Sequence, residues 1–364
     1  MSAVAAPQFR LEPHALPVDA AVRAEQLTDP GFGRVFTDHM AIVDYSAEQG
    51  WHDARITARV PFTVDPACAV LHYAQEIFEG LKAYRLADGG TALFRPDANA
   101  RRFRSSAQRL AMPELPDELF VGSIEALVAA DREWIPESPE GALYLRPFLI
   151  ATQPFLGVRP SSDYRYMVIA SSVGAYWKGG ARAVSLWVSH DYTRAAPGGT
   201  GAAKCGGNYA TSLIAQADAV ARGHDQVVFL DATERRWVEE LGGMNIFFVH
   251  ADGSLSTPPL TGTILPGITR DSLIRLARDE GLTVREAPYA IEQWRADAAS
   301  GALAEAFACG TAAVVTPIGR VAGPDYDFTI GDGDTGPVTA RLSATLSAIQ
   351  RGRSNDAHGW LHTL

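Results

Sequence analysis

Of the 32 basic residues only three are lysines, Lys82, Lys178 and Lys204; arginine fills every other basic position. A retained amine in such a chain calls for a reason. An amine can lose its proton and condense with a carbonyl to an imine, which a guanidinium does not do in proteins. Lys204 stands in Gly198-Gly-Thr-Gly-Ala-Ala-Lys-Cys-Gly-Gly-Asn-Tyr209, where the glycines allow tight turns and close approach of the backbone to a ligand. Most lysines are solvated surface charges, and this loop is a poor place for one. A Walker A phosphate loop is excluded, because Ala203 and Cys205 flank the lysine where Gly and Ser or Thr are required. Lys82 falls in a strand pattern and Lys178 in a linker-like stretch, so both read as structural.

Imine chemistry of the pyridoxal phosphate kind needs two further groups. One is an acid facing the pyridine nitrogen, which favours the protonated ring that serves as electron sink. The other is an anion site for the phosphate, built from a helix start and an arginine. Glu240-Leu-Gly-Gly-Met-Asn245 ends a strand with a carboxylate just before a glycine pair. Alone, Glu240 reads as an ordinary hairpin carboxylate, and Glu239 is a rival acid. Ile264-Leu-Pro-Gly-Ile-Thr-Arg270 puts Pro266 and Gly267 at the mouth of a helix whose first amides, near Ile268 and Thr269, point outward. Arg102 could reach such a site, with Arg101 and Arg104 as neighbouring alternatives.

The elements that must position these groups follow from apolar periodicity. Strands are expected at 39–45, 51–60, 81–84, 91–95, 143–151 and 166–171, with helices at 97–110 and 117–131 between them. Val173 to Gly180 breaks the pattern as a candidate interdomain linker. Beyond it come strands at 183–189, 226–230, 245–250, 255–257, 306–309 and 312–317, and helices at 209–221, 269–280, 291–300 and 337–351, the last closing the chain. This is an α+β plan with mixed sheets: a domain over 1–172, a loop over 173–182 and a second domain over 183–364. The 364-residue length suits two domains. A net charge of -10 argues against nucleic acid or anionic membrane as partner and for small molecules. Neither a signal h-region nor a membrane-spanning run is present, and Cys68, Cys205 and Cys309 lack metal-ligand spacing, which points to a reducing cytoplasm and no metal.

With these residues in view the chain resembles the class IV (fold type IV) aminotransferases, and within them the branched-chain aminotransferases. The signature runs Glu240-x-Gly242-x-x-Asn245-Ile246-Phe247, Leu255-x-Thr257, then Leu265-x-Gly267-Ile268-x-Arg270. Phe32 to Met40, Leu71 to Gly80, Tyr144-Leu-Arg-Pro147 and Gly310-Thr-Ala312 are also similar to that family. The resemblance implies a D-amino acid aminotransferase-like fold with a smaller N-terminal α/β domain, a larger C-terminal domain and pyridoxal 5'-phosphate at their interface. It implies that Lys204 forms the Schiff base and shuttles the α-proton, that Glu240 meets the pyridine nitrogen and that Tyr209 holds the ring oxygen. Arg102, Thr311, Ile268 and Thr269 would bind phosphate, with further cofactor contacts from Gly243, Asn245, Leu265 and Gly267. The implied substrate pocket comprises Phe32, Tyr73, Phe78, Tyr144, Arg146, Tyr176, Thr311 and Ala312, partly supplied by the other subunit of a homodimer.

The implied reaction is transamination between Leu, Ile or Val and 2-oxoglutarate. An apolar wall suits the aliphatic side chains, and Arg146 would pair the second carboxylate of glutamate. Some relatives carry a CxxC redox pair after the Gly-Thr-Ala turn; here Ala313 and Thr316 occupy those positions, which speaks against thiol control. A D-amino acid aminotransferase or aminodeoxychorismate lyase shares the lysine and the acid but is typically shorter, and a phosphate-ligand binding protein would use the glycine loop without chemistry.

Overall fold

Alternation along the strands of the first half sorts side chains onto two faces, and that sorting decides which of them reach the core. The computed structural model describes residues 8–174 and 182–364, so Tyr176, Lys178 and most of the expected linker lie outside the described residues. The strands here are β1 (Arg10–Leu11), β2 (Val35–Ser46), β3 (Gly50–Ala58), β4 (Glu76–Phe78), β5 (Leu81–Arg85), β6 (Thr91–Phe94), β7 (Ala142–Ala151) and β8 (Asp163–Val173). Helices α1 (Ala20–Thr28), α2 (Ala69–Tyr73), α3 (Pro96–Arg109) and α4 (Asp117–Ala130) accompany them. The sheet order is β1-β3-β2-β8-β7-β5-β6, with β4 added on β7. Leu81 and Ala83 of β5 and Leu143, Leu145 and Leu149 of β7 join Phe103, Phe120, Ile124 and Leu127 of α3 and α4 in one core. The other positions, Lys82, Tyr144, Arg146 and Phe148, therefore face away from that core, and Lys82 pairs directly with Tyr144.

The Phe32–Met40 segment owes its character to a bulge. Phe36 pairs with Ser171 and Met40 with Ile169, so β2 holds surplus residues against β8. The surplus turns Asp38 to Val18 N–H and Trp134 Nε1, at 2.9 Å each, and His39 Nδ1 to Asp131 at 2.7 Å. Asp38 and His39 thus tie the strand to the end of α4.

The second half builds a mixed sheet from β9 (Val184–Ser189), β10 (Gln226–Leu230), β11 (Val238–Leu241), β12 (Asn245–His250), β13 (Leu255–Thr257), β14 (Val284–Glu286), β15 (Leu303–Gly310), β16 (Val314–Gly323) and β17 (Tyr326–Thr329). The order is β11-β10-β9-β16-β15-β12-β13-β14, with β9 parallel to both of its neighbours and β17 on β16. Its helices are α5 (Gly206–Ala210), α6 (Leu213–Ala221), α7 (Ile268–Asp279), α8 (Ile291–Ser300) and α9 (Pro337–Gln350). Trp294 of α8 packs with Phe248, Ile246 and Ile318 in the core of this sheet. Among the described residues no helix is long and apolar enough to cross a membrane.

Two expectations about helices are corrected. The single helix over 209–221 is two, α5 and α6, because the Thr211 and Ser212 hydroxyls both bond the Asn208 carbonyl and interrupt the ladder. Nor does the chain close on a helix: β18 (Leu361–Thr363) comes after α9 and pairs antiparallel with β6. Three residues carry too little periodicity to announce a strand whose partner lies far away in sequence. Contacts divide the chain into Met1–Tyr176 with Ala203–Gly206 and Ile349–Leu364, and Trp177–Ala202 with Gly207–Ala348. Lys204 and the C-terminal tail therefore belong to the first unit, although a single boundary near 183 would place them in the second.

Helix α9 follows Gly336, which has no side chain to offer as a cap. Glu305 of β15 supplies one from a distance, accepting from Val338 N–H at 2.9 Å, Thr339 N–H at 2.8 Å and the Thr339 hydroxyl at 2.6 Å. Glu305→Ala should lower stability by about 1–2 kcal/mol, read as a lower urea midpoint at unchanged slope. An unchanged midpoint would show that water caps the helix equally well.

Candidate active site

Lys204 is held by its main chain before its side chain is considered. Its N–H donates to Ser106 Oγ of α3 at 2.9 Å, and its carbonyl accepts from Phe78 N–H of β4 at 2.9 Å. Two residues on, Gly206 N–H donates to the Glu76 carboxylate. The Lys204 ammonium lies 4.8 Å from the centroid of the Phe78 ring. Burial first and Arg102 second lower this amine to about 8, against the opposing charge of Glu79. Arg102 is buried against Glu79, with Nε and Nη2 at 2.7 and 2.8 Å from the two carboxylate oxygens.

Four of the expected substrate residues meet beside this lysine in the same unit. The Arg146 guanidinium lies 4.8 Å from the Phe78 ring centroid and 5.4 Å from that of Tyr144, and its Nη2 donates to the Tyr144 hydroxyl at 3.1 Å. Phe32 meets the Tyr144 ring edge-on at 5.0 Å. Gly80 makes room, since a Cβ there would run into the Tyr144 hydroxyl. Arg146 Nε is buried and finds no hydrogen-bond partner among the described residues. Tyr73 is not part of this group: its ring is exposed and its hydroxyl donates to Leu156 O at 2.5 Å. Tyr176 lies outside the described residues. Lys82, opposite Tyr144, is itself pushed down to about 7 by burial, with Arg351 adding to the effect.

In the second unit the expected cofactor residues gather around Glu240. Arg194 pairs with its carboxylate at 2.8 Å, both side chains being 3% exposed, and Leu265 N–H donates to the same oxygen at 2.9 Å. Asn245 Nδ2 donates to Leu265 O at 3.0 Å, and a Cβ on Gly267 would collide with the Asn245 amide. Gly267 caps α7 without a side chain, leaving Ile268 and Thr269 at the first turn. A Cβ on Gly243 would touch the Tyr209 ring at 3.6 Å. Thr311 and Ala312 form the β15–β16 turn, and the preceding Gly310 packs on Met244 and Gly243. These residues lie at the ends of strands and helices or on the connections between them, the usual place for ligand groups on a rigid scaffold.

Arg194 was not among the expected residues. It stands just ahead of the glycine-rich loop, but nothing in the sequence marks it out from the chain's other arginines, and only the fold brings it to Glu240. Glu239 points to the opposite face of β11, where it accepts from the Thr263 hydroxyl at 2.5 Å and burial holds its carboxyl above the ordinary range. Burial likewise pushes the Cys309 thiol up to about 12, which keeps it unreactive.

Residues 76–321 match the family described as amino-transferase class IV. The chain is 55% identical over 361 residues to the branched-chain-amino-acid aminotransferase of Mycolicibacterium smegmatis, covering 98% of each chain. It is 57% identical over 352 residues to that of Mycobacterium tuberculosis, covering 96% of each. Its fold is similar, with a TM-score of 0.72 at 26% identity, to the branched-chain amino acid aminotransferase of Thermobaculum terrenum solved in its PLP form, over 90% of this chain and 98% of that one.

The adjacent acids of β11 should respond oppositely to neutralisation of their surroundings. Arg194→Met strands the buried Glu240 charge and should cost about 3–5 kcal/mol in denaturant unfolding. Glu239→Gln should be neutral or stabilising at pH 7. Any gain should vanish on acidification, because a raised folded-state pKa costs stability only where the unfolded chain is ionised. A large loss from Glu239→Gln with little from Arg194→Met would reverse the assignment of faces.

Proposed function

This chain belongs to the class IV aminotransferases, within the branched-chain-amino-acid aminotransferase family, and we propose that it moves the amino group of leucine, isoleucine or valine to 2-oxoglutarate, giving the branched-chain 2-oxo acid and L-glutamate. One observation carries the choice of substrates: an aromatic wall of Phe32, Phe78 and Tyr144 shares its space with a cation, Arg146, whose Nε has no partner among the described residues. The wall suits an aliphatic side chain by desolvation, at about 0.8 kcal/mol per buried methylene. The cation suits the second carboxylate of glutamate.

The family works with pyridoxal 5'-phosphate, which when bound supplies an imine-forming aldehyde and an electron-withdrawing ring. The residues fit it. Lys204, whose amine is lowered to about 8, is partly neutral near physiological pH, so Nζ can hold the cofactor and accept or return the substrate's α-proton. Glu240 would face the pyridine nitrogen, its orientation set by Arg194 and Leu265 N–H. Tyr209 would hold the ring oxygen, and Arg102, Thr311 and the amides at Ile268 and Thr269 the phosphate. Gly243, Asn245, Leu265 and Gly267 would shape the turns around these groups, and Ala312 would meet the substrate beside Thr311.

The proposal includes a homodimer working in the cytoplasm. Leu71, Tyr73, Leu156 and Val158 are exposed large hydrophobics of the first unit, and the Tyr73 hydroxyl is fastened to Leu156 O. Cover by a second copy would remove this surface from water and give Tyr73 a place at the partner's substrate. The three cysteines are free and buried, as suits a reducing compartment.

Lys204→Arg keeps the charge and should abolish the cofactor's visible absorbance and nearly all turnover, whereas Lys82→Arg should keep both. Turnover in Lys204→Arg with loss in Lys82→Arg would move the chemistry to the other desolvated amine. Arg146→Met should raise KM for glutamate and 2-oxoglutarate strongly, in line with ~2–5 kcal/mol for truncating one side of a charge pair. The leucine half-reaction, read by single turnover, should change far less; equal losses would end the dual-substrate account.

A further inference from the structure

The first unit holds a carboxylate with no part in the chemistry assigned to Lys204, Glu240 and Arg146. Glu79 has no exposed surface. It accepts from Arg102 Nε at 2.7 Å and Nη2 at 2.8 Å, from Asn99 Nδ2 at 2.7 Å and from Gly80 N–H at 3.1 Å. Burial alone would raise its carboxyl, but Arg102, Lys204 and Asn99 together outweigh burial, and the group sits below the ordinary carboxylate value. It is therefore an anion inside the protein.

Its position gives that anion two tasks. The bidentate pairing fixes the plane of the Arg102 guanidinium. Glu79 also follows Phe78, whose N–H holds the Lys204 carbonyl and whose ring lies under the Lys204 ammonium. One dipeptide thus anchors the lysine's main chain and brings a negative charge toward its amine. We propose that Glu79 is a positioning residue for the transamination, fixing the guanidinium of Arg102 and supplying the charge that balances Arg102 against protonated Lys204. The proposal rests on the reading that Lys204 holds the cofactor.

The sign of the effect follows from the charges. Burial and Arg102 both drive the proton off Lys204, and Glu79 is the largest opposing influence. Without its charge, Arg102 and protonated Lys204 face each other uncompensated, and the amine sheds its proton at lower pH. A salt bridge serving stability alone would move the melting temperature but not this titration.

The test uses the full-length chain freed of pyridoxal phosphate. Trace acetylation with acetic anhydride across the neutral and alkaline range, read by mass spectrometry of the Lys204 peptide, gives the amine's midpoint, with the Lys82 peptide as internal reference. The wild-type Lys204 midpoint should fall near about 8. Glu79→Gln should lower it enough to raise the neutral fraction near pH 7 about fivefold while Lys82 stays put. Glu79→Asp keeps the charge but shortens the reach. It should retain the wild-type midpoint yet release bound cofactor faster on gel filtration, because Arg102 is less firmly set. An unmoved midpoint in Glu79→Gln, or a shifted one in Glu79→Asp, overturns the proposal, and the Asp variant alone decides if Gln does not fold. Borohydride fixation of the cofactor on a peptide other than that of Lys204 would instead overturn the reading on which the proposal rests.

Discussion

A charge taken out of water must meet an opposite charge or several donors within hydrogen-bond reach, and both groups of functional residues are arranged around that requirement. In the first unit Glu79 and Arg102 satisfy each other beside Lys204; in the second, Glu240 and Arg194 do so beside the start of α7. Neither pair is a stability device in the first instance, since a buried ion pair is often no better than apolar packing of similar volume. Each instead holds a functional group in one orientation. Arg102 presents a set guanidinium plane, and Glu240 a set carboxylate.

The same requirement explains what is left incomplete. Arg146 Nε and Arg194 Nε are buried without partners among the described residues, an arrangement proteins rarely retain without cause. For Arg146 the proposed function offers a cause: a second carboxylate that would be present in one half-reaction and absent in the other. Tyr144 and Phe78 keep the guanidinium against aromatic faces meanwhile, where a cation is tolerated.

Backbone geometry supplies the precision. Alternation along β7 sends Leu143 and Leu145 into the core and Tyr144 and Arg146 to the opposite face, so packing the helices also aims the proposed substrate residues. On β11 the same rule separates Glu239 from Glu240 by one residue and one sheet face. The glycines at 80 and 267 matter because neighbouring side chains occupy the space a Cβ would take.

Much of this was legible in the chain itself. A lysine in a glycine-rich loop, an acid ahead of a glycine pair and a helix opening on Pro-Gly are local patterns, and local chemistry dictates them. So are the long strands and helices, whose periodicity spans enough residues to be unambiguous, such as β7 and α8. The fold alone decided the rest, because it depends on residues distant in sequence. Arg194 carries no signal of its own and becomes Glu240's partner only when β11 and its loop are in place. Glu79 reads as an ordinary strand-end acid until α3 brings Arg102 and Asn99 onto it. The bulge that occupies Asp38 and His39, the remote cap from Glu305 and the last strand, β18, each require a partner that no local window contains. Sequence determines which chemistry the chain can attempt through residue type and spacing; tertiary structure decides which buried charges face one another, since desolvation and pairing exist only once the chain has folded.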